Sequence, residues 1–435
     1  MLRRLLSGWG RSAAYWVALP VLVLVQLLYQ QHRRSMLVWG PDPIISNKYW
    51  SAAMKQVGWK SCTLMDTYYS AINRREDFDL YFEDLVRWLK PGRLRILIAP
   101  LLAHLYVVRN AVVAHIPMSG GPLGRTPIWR LEAPLLRLAG VRTVVLPYGA
   151  DAYVYSMIPD LTVRHALMLS YPEARGREES VEKRVRYWTR HGDVIVLGFV
   201  CEGMGRWEVV QGSKACIDID QWKSKRDYSE TDGRNGTVQV LHAPNHRGAK
   251  GSEFLIDAVE QLKDEGLQVN LVLAEKMQNS KVLELMQRVD ILADQLVLPG
   301  YGMAAIEGMA SGLPVISNLE MDAYTRIFRR YSFLDECPIV AASPDTIKRN
   351  LRVLIRNPLL RRELGQAGRN YVEKYHSYAM AQYLFGAIYR KLLDDEEVDL
   401  MNLFHPIKSS YNRAKPRVAH PLVENRFSSD YPVQC

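Results

Sequence analysis

Short apolar strands alternate with helices twice over in this chain, first from Ser35 to Phe199 and again from Thr237 to Leu393. Such alternation favours parallel strands, because each helix carries the chain back across the sheet before the next strand begins. In the first series Ser35–Gly40 (SMLVWG), Ser61–Met65, Ala111–Met118 (AVVAHIPM), Val141–Leu146 and Asp193–Phe199 (DVIVLGF) read as strands. Helices are expected over Asn47–Val57, Asp77–Leu89, Leu94–Val108, Trp129–Leu138 and Ser170–Arg190. The second series places strands at Val238–His242, Val269–Leu273, Ile291–Leu298 and Leu313–Ser317. Its helices are expected over Ser252–Glu265, Lys281–Arg288, Ala304–Ser311, Thr346–Asn357, Pro358–Lys374 and Ser377–Leu393.

Between the series lies Lys223–Gly236 (KSKRDYSETDGRNG), polar and rich in turn formers, which reads as a linker. At 435 residues the chain is too long for one ordinary core and suits two domains. The expected architecture is therefore α/β, with two Rossmann-like domains at 36–222 and 237–376, a linker at 223–236 and a cleft between the domains. A last helix follows at 377–395 and a peripheral tail at 396–435, in which Phe404, Tyr411 and Tyr431 are candidates to dock on the body.

Residues 1–35 stand apart. Ala13–Tyr29 is nearly all apolar, interrupted by Pro20, with Arg3, Arg4 and Arg11 before it and His32, Arg33 and Arg34 after. Its length is at the lower limit for a bilayer span. No small-residue cleavage site follows the apolar run, which argues against a secretory signal. The segment is read as membrane-associated, either as a single span or held to an anionic face by its basic flanks; a helix buried on the body is the alternative. Leu94–Val108 is also apolar, but Arg95, His104 and Arg109 favour a buried crossover helix.

Composition narrows the field. Five scattered cysteines without a CxxC pair point away from a disulfide framework or a zinc site and toward a reducing compartment. A formal charge of +10 favours anionic partners. The basic residues form no aromatic-interleaved patch, so nucleic acid is not expected as a partner.

Ligands of open parallel sheets bind outside the C-terminal strand ends. Two loops of the first series meet that rule: the turn Ser119–Gly124, with Gly120 and Gly121 as candidate cleft residues, and Tyr148-Gly-Ala-Asp151. In the second series, the loop after Val238–His242 carries Arg247 and Lys250, cations able to neutralise a diphosphate. Gly300 and Gly302 immediately precede a helix, whose first amides are unpaired donors with positive partial charge. Glu307, about one turn in, suits the vicinal hydroxyls of a ribose. A carboxylate favoured by the helix dipole would look the same in sequence.

The run Lys250 to Val259 (KGSEFLIDAV), Asp294, and Glu307 to Ile316 (EGMASGLPVI) resemble the donor domain of GT-B glycosyltransferases related to family 4 (glycosyl transferases group 1). Cys216–Trp222 resembles the segment leading into that domain, and Ser377–Leu393 the helix that crosses back to the first one. The likeness is good from about Ile217 to Leu393 and looser from Met36 to Phe199. It implies a nucleotide-sugar donor used as substrate, with no cofactor and no obligatory metal, a hydroxyl acceptor and usually retention of configuration. The acceptor is expected to be a sugar or lipid-linked glycan; a lipid-linked glycan would account for the apolar N-terminus and the positive charge. Carried over, Lys250 contacts the donor diphosphate with Arg247 as helper, Glu307 binds the ribose, and the amides of Tyr301, Gly302, Met303 and Ala304 meet the diphosphate. Asp294 and Gln295 lie close to the cleft. Asp151 and Tyr148 are the candidate catalytic residues, for acceptor or sugar contacts.

Three departures accompany the likeness. Pro299 stands where the family has a second glutamate eight residues before the first. Arg247 and Lys250 are closer together than the family's basic pair. Tyr148-Gly-Ala-Asp151 replaces a His-Gly-Ser-Asp-like strand end. The expected function is glycosyl transfer in glycan or polysaccharide assembly at the cytoplasmic face of the membrane. A sugar-nucleotide epimerase and a non-catalytic partner are the competing readings.

Overall fold

The computed structural model describes residues 2–69, 73–275, 277, 279–414 and 416–427. The chain opens with helix α1 (Leu2–Tyr29), and β1 (Met36–Trp39), α2 (Ile45–Gln56), β2 (Lys60–Met65) and β3 (Leu80–Tyr81) follow. Next come α3 (Arg93–Asn110), β4 (Ala111–Ile116), α4 (Glu132–Leu138), β5 (Arg142–Val145), α5 (Leu161–Ser170), α6 (Glu178–His191), β6 (Val194–Leu197) and β7 (Val209–Val210). These seven strands form one sheet in the order β3-β2-β1-β4-β5-β6-β7. All pairings are parallel; Val38, for example, lies opposite Cys62 on one side and Ala114 on the other. The central strands are apolar on both faces because helices cover both.

The second sheet draws on β8 (Val238–His242), α7 (Arg247–Lys250), α8 (Ser252–Asp264), β9 (Val269–Leu273), α9 (Asn279–Met286), β10 (Ile291–Ala293) and α10 (Met303–Ala310). It continues with β11 (Val315–Ser317), α11 (Asp322–Tyr331), β12 (Val340–Ala341), α12 (Ile347–Arg356) and α13 (Pro358–Tyr375). The strand order is β12-β11-β10-β8-β9, again parallel throughout. Helix α14 (Tyr378–Leu393) and the short α15 (Ser410–Arg413) complete the chain.

α14 follows the second sheet in sequence but packs on the first. Phe385 meets the Trp39 ring edge-on at 4.8 Å, and the Tyr389 hydroxyl lies 2.9 Å from His115 Nε2. Gln382 donates to the Ala53 carbonyl of α2 at 2.9 Å. In the tail, Phe404 is buried and Tyr411 stacks on Tyr383 at 4.5 Å, whereas Tyr431 lies outside the described residues.

Some elements differ from expectation for local reasons. Asp77–Leu89 is not one helix, because Asp84 accepts the Tyr81 amide at 2.9 Å and starts a separate 3-10 turn over Phe82–Val86. The strand expected to Leu298 stops at Ala293, where Asp294 turns to cap the following loop. α6 begins only at Glu178, after a 3-10 turn opened by Pro172. The two-residue strands β3, β7 and β12 are too short to show periodicity.

Candidate functional site

The loops at the C-terminal strand ends of both sheets face one cleft of about 540 Å³, within the ~300–1,000 Å³ of ordinary small-molecule sites. Tyr69, Tyr148, Phe199 and Lys214 line it from the first sheet; Asn245, Gln295, Tyr301, Gly302 and Met303 line it from the second.

On the second-sheet side, β8 ends at His242, whose ring is held between the Ala293 carbonyl and the Ser252 hydroxyl, both at 2.8 Å. That pins the start of α8. The chain between them winds through α7 and reverses at Gly251, whose φ of +73° suits glycine. Lys250 leaves α7 toward the loop after β10. Its ammonium lies 2.5 Å from Asp294 Oδ1 and 3.1 Å from Gln295 Oε1. The other Asp294 oxygen accepts the Gly302 amide at 2.8 Å. A Cβ on Gly302 would sit 3.3 Å from Lys250 Nζ, a tight contact with the end of a flexible side chain. Met303 and Ala304 begin α10 just beyond, half-buried, with Met303 on the cleft wall.

Glu307 is buried on α10. Burial first, and then the nearby Glu307 carboxylate, push the Tyr49 phenol upward, so the two groups are neighbours across the domains. Arg247 is not brought to Lys250. Its guanidinium pairs with Glu253 at 2.9 Å and reaches Glu275 at 3.7 Å, beside α8 and β9.

Tyr301 links this loop to the turn between α13 and α14. Its buried hydroxyl lies 2.9 Å from the Tyr371 hydroxyl and 3.0 Å from His376 Nε2. His376 Nδ1 in turn lies 2.7 Å from the Ala215 carbonyl. Burial lowers the His376 pKa to about 4, so the ring is neutral and its Nδ1–H donates to that carbonyl. Phe199 closes against the same loop; a Cβ on Gly300 would lie 2.5 Å from its ring.

On the first-sheet side Asp151 is buried, and its carboxylate accepts the amides of Met118, Tyr148 and Gly149 at 2.8, 3.0 and 2.9 Å. Burial, against those hydrogen bonds, raises it to about 6. Its oxygens are spent on shaping two loops, so it positions Tyr148 and is not aimed at a ligand. Tyr148 does line the cleft, donating to Asp42 Oδ2 at 2.8 Å. Gly120 and Gly121 are buried and are not part of the cleft lining. Their turn wraps the Glu132 carboxylate, which takes the Gly121 and Leu123 amides at 2.9 and 2.7 Å and is raised to about 7 by burial.

Sequence reasoning missed Asp42, Asp66, Arg125 and Lys214. Asp42 takes hydrogen bonds from Ser119, Tyr148 and Arg125, each at 2.8 Å. Arg125 also binds Asp66, whose carboxyl is raised to about 6, chiefly by burial. Asp42 and Asp66 follow β1 and β2 directly, so the strand-end rule could have flagged both. Lys214 gives no such signal, being carried into the cleft by a loop after the two-residue β7.

Comparison with known proteins agrees with this architecture. Residues 257–371 match the family described as Glycosyl transferases group 1. Sucrose-phosphate synthase from Thermosynechococcus elongatus is similar in structure, with a TM-score of 0.53 at 13% identity, covering 84% of this chain and 100% of that one. TarM is similar at a TM-score of 0.52 and 7% identity, covering 82% of this chain and 99% of that one. A search of curated proteins finds no match. The second domain thus carries a match to the glycosyl transferases group 1 over residues 257–371, and the chain as a whole shares the two-domain GT-B fold of these structures.

Proposed function

We propose that the protein transfers a hexose or related sugar from a nucleotide-sugar donor to a hydroxyl acceptor, without a metal and with retention. One observation carries the reading. Lys250 and the Gly302 amide converge on the same carboxylate, the arrangement of donors that a phosphate oxygen would use. In this reading the Asp294 carboxylate stands in for a donor phosphate. Glu307 takes the ribose, and the amides of Tyr301, Gly302, Met303 and Ala304 take the diphosphate.

As the acceptor oxygen bonds to the anomeric carbon, the bond to the departing phosphate breaks and charge grows on that phosphate. Lys250 and the amides that open α10 stabilise that charge, Lys250 and Gly302 after exchanging Asp294 for the phosphate. The acceptor proton passes to the leaving phosphate. Tyr148 and its Asp42–Arg125–Asp66 network support the acceptor side, with Asp151 fixing the Tyr148 loop. Lys214 adds a cation to the same cleft. Arg247, paired with Glu253, serves the diphosphate only after changing partner.

The acceptor in this reading is a lipid-linked glycan at the cytoplasmic face of an anionic membrane, in glycan or polysaccharide assembly. The apolar helix α1 and the charge of +10 support it.

The test is thermal denaturation with a panel of nucleoside diphosphates and nucleotide sugars, since a ligand bound only by the folded state stabilises by mass action. One nucleotide series should raise the melting temperature, and Lys250→Ala and Glu307→Ala should each reduce that rise. An undiminished rise in both overturns the site assignment. No response to any nucleotide would mark a non-catalytic partner, and donor turnover without acceptor an epimerase.

A further inference from the structure

Among its described side chains, helix α1 is attached to the body along one face. Tyr15 donates to the Leu97 carbonyl of α3 at 3.0 Å, and Gln26 meets His104 at 2.7 Å in a buried seam. Leu22 is buried on the same side, against a cluster with α3 and α4. The opposite face is apolar and open: Trp16, Val17, Val21, Leu24 and Leu28 are 53, 76, 62, 58 and 72% exposed. That spacing keeps them on one stripe of the helix.

Two further features adjoin it. A groove of about 570 Å³ runs between α1 and the turn at Phe82–Val86, walled by Val25, Tyr29, Leu85, Leu102 and Tyr106, with exposed Arg109 at its rim. Beyond Leu85, the segment from Arg87 to Ile96 interleaves exposed Trp88, Leu94 and Ile96 with Arg87, Lys90, Arg93 and Arg95, and holds no acidic residue. Apolar side chains set among cations match the chemistry of a bilayer surface with anionic headgroups.

We propose that this face seats the protein on an anionic bilayer, with α1 lying in the membrane plane and the groove receiving an acyl chain of an anionic lipid. It deepens the membrane association proposed above by defining its geometry. A span is disfavoured because withdrawing α1 into the bilayer breaks the Gln26–His104 hydrogen bond and uncovers Leu97, Leu101 and Leu105. The cleft lies at the opposite ends of the strands from Asn110, where α3 enters β4.

The test is flotation of the full chain with vesicles of equal parts phosphatidylglycerol and phosphatidylcholine, against vesicles of phosphatidylcholine alone. The wild type should float with the anionic vesicles and be released by alkaline carbonate. Val17→Glu/Leu24→Glu/Leu28→Glu should lower the bound fraction about tenfold, as judged from the size of the buried apolar contact. Lys90→Glu/Arg93→Glu, remote from α1 packing, should weaken binding and flatten its salt dependence. Circular dichroism checks that each variant is folded. No flotation of the wild type overturns both the docking face and the membrane association. Flotation undiminished in both folded variants, or equal on neutral vesicles, overturns the face alone. Carbonate-resistant insertion with a protease-protected N-terminus overturns the in-plane geometry while leaving membrane association standing.

Discussion

Lys250 reaches across from α7 to place its ammonium 2.5 Å from Asp294, whose second oxygen holds the Gly302 amide at 2.8 Å. Both side chains are largely buried, so neither charge is well hydrated. Lys250→Ala should weaken nucleoside diphosphate binding at least about tenfold, since a hydrogen bond to a charged group contributes ~1.5–3 kcal/mol. It should also destabilise the apo protein by roughly 3 kcal/mol, because Asp294 is left buried and unpaired. Calorimetry and denaturant melts read the two effects separately, and unchanged affinity would contradict the assignment.

Glu307 distinguishes a nucleoside from its phosphates. Glu307→Gln should weaken binding of a nucleoside diphosphate about tenfold and leave pyrophosphate affinity nearly unchanged, since its proposed contact is the ribose (~1.5–3 kcal/mol for a charged hydrogen bond). Equal losses for both ligands would place Glu307 among the phosphate contacts.

Asp151 is expected to act on the reaction through Tyr148. Asp151→Ala removes the acceptor of three backbone amides and should cost about 2 kcal/mol, after allowing for relief of its buried charge. Tyr148→Phe should leave stability within about 1 kcal/mol and lower acceptor-side kcat/KM. If Asp151→Ala abolished transfer without loss of stability while Tyr148→Phe were fully active, Asp151 would be a direct participant.

The contact of α14 with the first sheet should hold the domains together. Phe385→Ala opens a cavity beside Trp39 and His115 and should cost about 3–5 kcal/mol. Tyr389→Phe, which only removes the bond to His115, should cost about 1 kcal/mol. Denaturant unfolding checks both, and a loss under about 1 kcal/mol for Phe385→Ala would deny α14 that role.

His376 makes the turn between α13 and α14 acid-sensitive. Its folded pKa of about 4 lies below the ordinary histidine value of 6.5, so the unfolded chain binds the proton more readily. The stability it contributes is present above pH 6.5, falls as pH drops toward 4, and is lost fully below that. Over that window the wild type should lose roughly 3 kcal/mol more than His376→Gln, because each pH unit between the two values is worth ~1.4 kcal/mol. Parallel stability–pH curves for the two proteins would refute it.

The alternation of strand and helix and the helix start after Gly302 were legible because they depend on neighbours in sequence. Periodicity, turn chemistry and a helix start are local properties, and the strand-end rule converts them into a site. Pairings between distant elements were not legible. Arg247 turned from Lys250 to Glu253, and Asp151 became a buried acceptor of amides, because charges and hydrogen bonds settle on whatever partners packing supplies. Likewise residues 13–29 read as a nearly all-apolar run, but the Gln26–His104 seam that binds one side of α1 arises only when α3 lies beside it. Sequence by itself determined the order of most strands and helices, since those follow from short-range sterics and apolar spacing. Only the tertiary structure decided which charges share a cleft and which apolar faces stay open, because those depend on contacts tens to hundreds of residues apart.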